Sequence, residues 1–166
     1  MSRSMTAPAL AELTAEASSD AMIALLTFTN ADLTETIRLS NDPTTRLSSD
    51  PPVYGTQSRG NDYLYLPIDL TLPIDAEGRI PSAVLKIDNV DQQLVDLVRS
   101  IDTPASCKIE LVYASDPDTV EIEWDEMVTR EASYDATTVS LTISYEALMG
   151  QPFPDHDYGK YNFPGL

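Results

Sequence analysis

Four strand-like runs crowd into the second half of the chain, and turn residues separate them. They cover residues 107–113, 120–124, 127–134 and 138–145, with turns at Ser115-Asp116-Pro117-Asp118 and Asp135-Ala136. Short runs joined this closely predict an antiparallel meander. Upstream, residues 63–72 alternate more strictly. Leu64, Leu66, Ile68, Leu70 and Leu72 share one face, and Tyr63, Tyr65, Asp69 and Thr71 the other. A period of two predicts a half-buried strand. Pro67 lacks a backbone donor, so it sets that strand at an edge or puts a bulge in it. Residues 83–87 predict a further strand. Residues 22–29 form a compact apolar run, and 35–39 resume alternation beyond the turn Asn30-Ala31-Asp32, which together predict a β-hairpin.

Helical spacing occurs twice. Leu10, Leu13 and Ala17 predict an N-terminal helix over about residues 7–17. Val90, Leu94, Leu97, Val98 and Ile101 predict a second, capped by Asp or Asn at its start and ended by Thr103-Pro104. Residues 41–60 are rich in Pro, Ser, Thr and Asp, interrupted only by Val53-Tyr54, and predict an extended, functional or mobile loop. Residues 146–150 predict one closing helical turn, and the Pro-rich tail 151–166 has no period. The expectation is a single domain over residues 1–166 of class α+β, mainly an antiparallel β-sandwich or partly closed barrel with a flanking helix. Its core should hold Leu64, Leu66, Ile68, Leu70, Val84, Ile87, Leu94, Val98, Ile109, Leu111, Val139, Leu141 and Ile143.

Charge narrows the partners. With 27 acidic against 10 basic residues, the net charge is −17. Nucleic-acid binding draws its affinity from Lys and Arg releasing phosphate counterions, so sequence-specific binding to DNA or RNA is not expected. Docking on an anionic membrane is disfavoured for the same reason. No apolar run approaches the roughly 20 residues of a spanning helix, and residues 1–11 do not resemble a signal peptide, so synthesis in the cytoplasm is expected. The acid excess has two readings: solubility, or the lining of a channel through which DNA slides without sticking.

Catalytic and metal chemistry find little footing. Cys107 and His156 are the only cysteine and histidine, too few for a zinc site of about four ligands. Cys107 lies in a strand-like run with no local nucleophile signature, so a buried, inert thiol is expected. Glu121, Glu123, Asp125 and Glu126 surround Trp124, and paired carboxylates beside an aromatic ring suggest a glycosidase. Alternation explains them more simply, as a solvated face (Glu121, Glu123, Asp125) over a core face (Ile122, Trp124). Asp116, Asp118 and Asp155-His156-Asp157 cluster oxygen donors but lack the spacing, Gly and distal Glu of a calcium loop. No Walker loop, paired-glycine fingerprint or nucleophile elbow occurs. No enzyme activity and no cofactor is expected.

The C-terminal segment is more informative. Tyr158, Tyr161, Phe163 and Leu166 need an apolar partner, which is either their own domain or a neighbouring subunit.

Several segments together resemble uncharacterised minor tail proteins of siphophages and related prophages. They are Leu25-Leu26-Thr27-Phe28, Ile37-Arg38-Leu39-Ser40-Asn41-Asp42, Leu85-Lys86-Ile87-Asp88-Asn89-Val90-Asp91, residues 109–121, and Asn162-Phe163-Pro164-Gly165-Leu166. The resemblance covers nearly the whole chain from Ala7 onward. It implies a distal-tail or tail-hub type of protein with a tail-tube-like fold, sitting in a ring between the tube and the receptor-binding apparatus. The implied partners are further copies of the chain, in a hexameric or trimeric ring, and the tube, hub and tape-measure proteins. The implied location is the virion, after assembly in the host cytoplasm. It supplies no catalytic residues. On this reading Val53, Tyr54, Tyr158, Tyr161, Phe163 and Leu166 are interface candidates, and Asp116, Asp118, Glu121 and Glu123 candidates for an acidic lumen. The rival reading is a carbohydrate-binding β-sandwich that stacks sugars on Trp124 and the tyrosines.

Overall fold

Strand β1 (Met22–Thr29) buries Ile23, Ala24, Leu25 and Leu26 in succession, so both of its faces are covered and it must lie inside the sheet. The computed structural model describes residues 6–14, 20–30, 36–74, 80–88, 104–135 and 138–145, and places β1 at the centre. The other strands are β2 (Ile37–Ser40), β3 (Thr45–Ser49), β4 (Pro52–Ser58), β5 (Asn61–Tyr65), β6 (Ile68–Thr71), β7 (Ser82–Asp88), β8 (Ser106–Tyr113), β9 (Asp116–Tyr134) and β10 (Thr138–Tyr145). They form one open, mixed sheet in the order β3-β4-β5-β2-β1-β8-β9-β10-β7-β6. All described pairings are antiparallel except β2 with β5. The one helix among the described residues is α1 (Ala7–Thr14); residues 15–17 of the predicted helix lie outside the described residues.

The sheet cannot be flat. Strands β5 and β6 stand seven places apart, which a flat sheet would separate by about 34 Å. Only Leu66 and Pro67 join them, a link that reaches at most about 11 Å. The sheet therefore coils until its β6 edge comes back towards β5. Its inner face encloses the larger core, which includes Leu26, Phe28, Leu85, Ile87, Ile109, Leu111, Trp124, Met127, Leu141 and Ile143. A second, smaller cluster lies on the outer face, where Tyr63 of β5 packs on Ile23, Leu25 and Val112.

Strand β9 makes the longest bend. Its first part pairs with β8, and its last part, from Met127, pairs with β10. At the handover Glu126 takes a left-handed backbone (φ 57°), and the Asp125 carboxylate accepts the Glu126 N–H at 2.8 Å. The predicted break between 124 and 127 is therefore this kink inside one strand. The predicted turn at residues 115–118 falls earlier, at Ala114-Ser115, because Tyr113 pairs with Asp116. Asp20 accepts hydrogen bonds from the Ser115 N–H and hydroxyl and fixes that turn.

β1 and β2 pair antiparallel as predicted, with residues 31–35 between them outside the described residues, and Ile109, Leu111, Val139, Leu141, Ile143 and Ile87 are buried. Several expectations need correction. Residues 41–60 are not a loop: they hold all of β3 and β4, polar strands at one edge of the sheet. The single strand predicted over 63–72 is two strands, broken at Pro67, because a residue without an N–H ends the β5 ladder there. Leu64 is 48% exposed while Tyr63 is buried, so the inward face of β5 is the opposite of that predicted. Leu66, Ile68 and Leu70 are only partly buried against the inner core. In β7 the core face is Ala83, Leu85 and Ile87, and Val84 is half-buried. The predicted helix with Leu94 and Val98, the turn at 146–150 and the tail 151–166 lie outside the described residues. The α part of the α+β expectation is thus α1 alone among the described residues.

Candidate contact surface

Strands β3, β4 and β5 form a three-stranded flap, and local geometry fixes where its side chains go. Gly55 is needed for the close approach of β4 to β5, since a Cβ there would lie 1.9 Å from the Tyr63 carbonyl oxygen. The β4–β5 turn places Arg59 and Gly60 both at positive φ (50° and 74°), the conformation of tight two-residue hairpins. At the outer edge, the register of β3 and β4 slips between Arg46 and Ser48. The Arg46 guanidinium donates to the Ser48 and Ser49 carbonyls at 3.1 and 2.9 Å. A bulge and a charged side chain both discourage pairing with another strand at that edge.

The flap exposes apolar side chains. Tyr54 is 47% exposed, and one step beyond the Gly55–Leu64 pair brings it beside Tyr65 on the neighbouring strand. Leu64 and Tyr65 are also exposed, and Val53 is half-buried. Of the predicted interface residues, Tyr54 therefore stands free on the surface and Val53 in part. Tyr158, Tyr161, Phe163 and Leu166 lie outside the described residues.

On its other side the flap is clamped to the sheet. Arg59 donates to both carboxylate oxygens of Glu110 on β8, at 2.8 and 2.7 Å. Glu110 is 2% exposed and faces Glu123 of β9 in register. Two carboxylates placed opposite each other would repel. Lys108 removes the conflict by standing 3.2 Å from Glu110 and 3.3 Å from Glu123. Burial pushes the Glu110 carboxyl up, but hydrogen bonds and charge from Arg59 and Lys108 outweigh it and hold the group below its ordinary value. The flap tip is tied twice more: the Ser58 hydroxyl donates to the Pro117 carbonyl at 2.6 Å, and the Arg59 N–H to Asp118. Sequence reading missed this clamp, because nothing local marks residues 59 and 110 as partners.

The predicted acidic face divides. Asp116, Asp118, Glu123, Asp125 and Glu126 are exposed on β9. Glu121 is not, at 8%. It sits where the β8–β9 register slips between Ile122 and Val120, so alternation fails there. Its carboxylate accepts from the Thr6 N–H and hydroxyl at 3.1 and 2.8 Å, tying the start of α1 to the sheet. Glu121 is therefore withdrawn as a lumen candidate. Trp124 is buried in the inner core, which removes it as a platform for sugar stacking. Cys107 is fully buried, and burial pushes its thiol up to about 12, so it stays protonated and unreactive. Among the described residues no group of three or more His, Cys, Asp or Glu could hold a metal ion, and no helix is long and apolar enough to cross a membrane.

Fold and surface together define a β protein of one open mixed sheet, with a clamped flap over its outer face and apolar side chains along that flap. By sequence the chain belongs to DUF1833, a family described as a domain of unknown function, whose model matches residues 8–158. No curated protein matches the chain.

Proposed function

We propose that this chain is a structural component of a phage tail, one copy in a ring at the distal end that joins the tube to the tip apparatus and encloses the DNA path. The observation that carries the reading is the exposed pair Tyr54 and Tyr65 on the clamped flap, with Leu64 exposed on the flap's opposite face. Exposed aromatic side chains on paired strands suit a subunit interface, where such residues dominate the binding energy. The five sequence segments that resemble siphophage minor tail proteins point the same way. The coiled sheet supports the finer reading of the fold as a partly closed, tail-tube-like barrel.

In this reading the ring contains six or three copies and contacts the tube, hub and tape-measure proteins in the virion. Asp116, Asp118, Glu123, Asp125 and Glu126 face the lumen. Carboxylates there raise the energy of a nearby phosphate, whereas lysines would hold the DNA in place. Screening limits the effect to groups within about 8 Å of the DNA at physiological salt.

Oligomeric state tests the proposal. Mass photometry of the purified protein should show a closed ring, and Tyr54→Ser should shift it towards monomer. A chain that stays monomeric at every concentration and is absent from purified particles contradicts the reading.

A further inference from the structure

We propose that β3, β4 and β5 open as one unit from the outer face of β1 and β8, with the Arg59–Glu110 ion pair as the lock. The attachments of this flap are unequal to those of every other strand group. Among the described residues its backbone joins the main sheet only through the short parallel pairing of Leu39 with Leu64 and Ser40 with Tyr65, extended by the Leu66 N–H donating to the Ser40 carbonyl at 3.0 Å. By contrast β1 pairs with β8 along its full length, from Met22 with Tyr113 to Thr29 with Ser106. The apolar seal is equally uneven: among the described residues the cluster beneath the flap holds four buried residues and the inner core fifteen. Local opening begins where buried apolar contacts are fewest, so the flap is the unit with the lowest cost of release.

What offsets that weakness is charge. The Arg59 fork meets Glu110 bidentately, the strongest common geometry for such a pair. The groups around Glu110 are Arg59 from the flap, Lys108 on its own strand and Glu123 from β9. Its partner on β1 is Leu25, which carries no charge, and Tyr63 of β5 lies beside Arg59. Of the two cations, only Arg59 crosses from the flap to the sheet. On opening, Glu110 regains water and keeps Lys108 as its counter-ion, so no bare charge is left buried. An ionic lock is thus releasable in a way that an apolar plug of equal area is not. The connections on either side, residues 41–44 and Leu66-Pro67, are the hinges.

Hydrogen exchange followed by mass spectrometry tests the lock on three proteins: the parent chain, Arg59→Met and Lys108→Met. Circular dichroism first shows that each variant retains its β structure. Arg59 lies on an exposed turn and methionine keeps the aliphatic stem, so Arg59→Met should fold. Its amides in residues 52–65 should exchange about tenfold faster, while those in 82–88 and 138–145 change less than about twofold. Lys108→Met removes the other cation from Glu110 but does not untie the flap, so 52–65 should stay protected. Acceleration spread evenly over all strands, no acceleration in Arg59→Met, or an equal effect in Lys108→Met would each overturn the proposal. It stands on contacts within one chain and does not depend on the tail reading.

Discussion

The inner and outer faces of this sheet are held by different physics. Inside, Leu26, Ile109, Leu141, Ile143 and their neighbours are removed from water by strands that pair along most of their length. Such a core is non-directional, and its strength scales with buried apolar area. Outside, the β3–β5 flap rests on one tyrosine, two short backbone pairings and a cluster of charged and hydroxyl side chains. Those contacts are directional, depend on single atoms, and can be undone one at a time. The inner face makes the fold stable, while the outer face sets which surface the molecule shows.

The sharpest way to break that contrast is a charge in the inner core. Leu111→Asp puts an unpaired carboxylate at a buried site, which costs several kcal/mol. Loss of the cooperative unfolding transition is expected, and a variant that still unfolds at the parent midpoint would mean Leu111 does not face the core.

Next in size is Gly55→Ala. The new methyl group meets the Tyr63 carbonyl, a backbone atom that cannot swing aside. A loss of about 2 kcal/mol or more is expected by urea denaturation, of the size overpacking causes. Exchange should rise mainly in β4 and β5.

Acid separates the two faces by titration. Glu110 is held below its ordinary value, so its contribution is full above the ordinary carboxylate range and is lost as the pH falls through that range to the lower folded value. Flap amides should therefore lose protection below about pH 4, before the β7 and β10 amides do. Glu110→Gln should remove that part of the pH dependence. Flap protection that falls equally steeply with pH in Glu110→Gln would assign the acid response to other carboxylates.

The smallest effect is Glu123→Gln. Its carboxylate is exposed and among the described residues meets only Lys108, so the unfolding free energy from urea denaturation should move by no more than about 0.5 kcal/mol. A larger shift would mean that Lys108 depends on Glu123 to screen Glu110.

These two faces were not equally legible in the sequence. Where a strand alternates without interruption, as in β10, the buried residues Val139, Leu141 and Ile143 follow from the period of two. The same rule misplaced Leu64 and Tyr63, because the alternation read across Pro67 joined two strands that lie far apart in the sheet order. It misplaced Glu121 because a register slip inserts one residue against β8. The flap was hidden for a compositional reason. Strand β3 is an edge and β4 packs little apolar surface, so their Pro, Ser and Thr content reads as loop. The Arg59–Glu110 clamp joins residues 51 apart, and no local pattern reports such a pair.

The central claim, that this chain is a ring component around the DNA path, is tested most directly by a cryo-EM structure of the assembled tail. The account predicts a closed ring of six or three copies at the distal end, with Tyr54 and Tyr65 at subunit contacts and the exposed carboxylates of β9 turned to the lumen. A tail in which this chain has no density, or in which its ring presents a neutral or basic lumen with those tyrosines facing solvent, would contradict it.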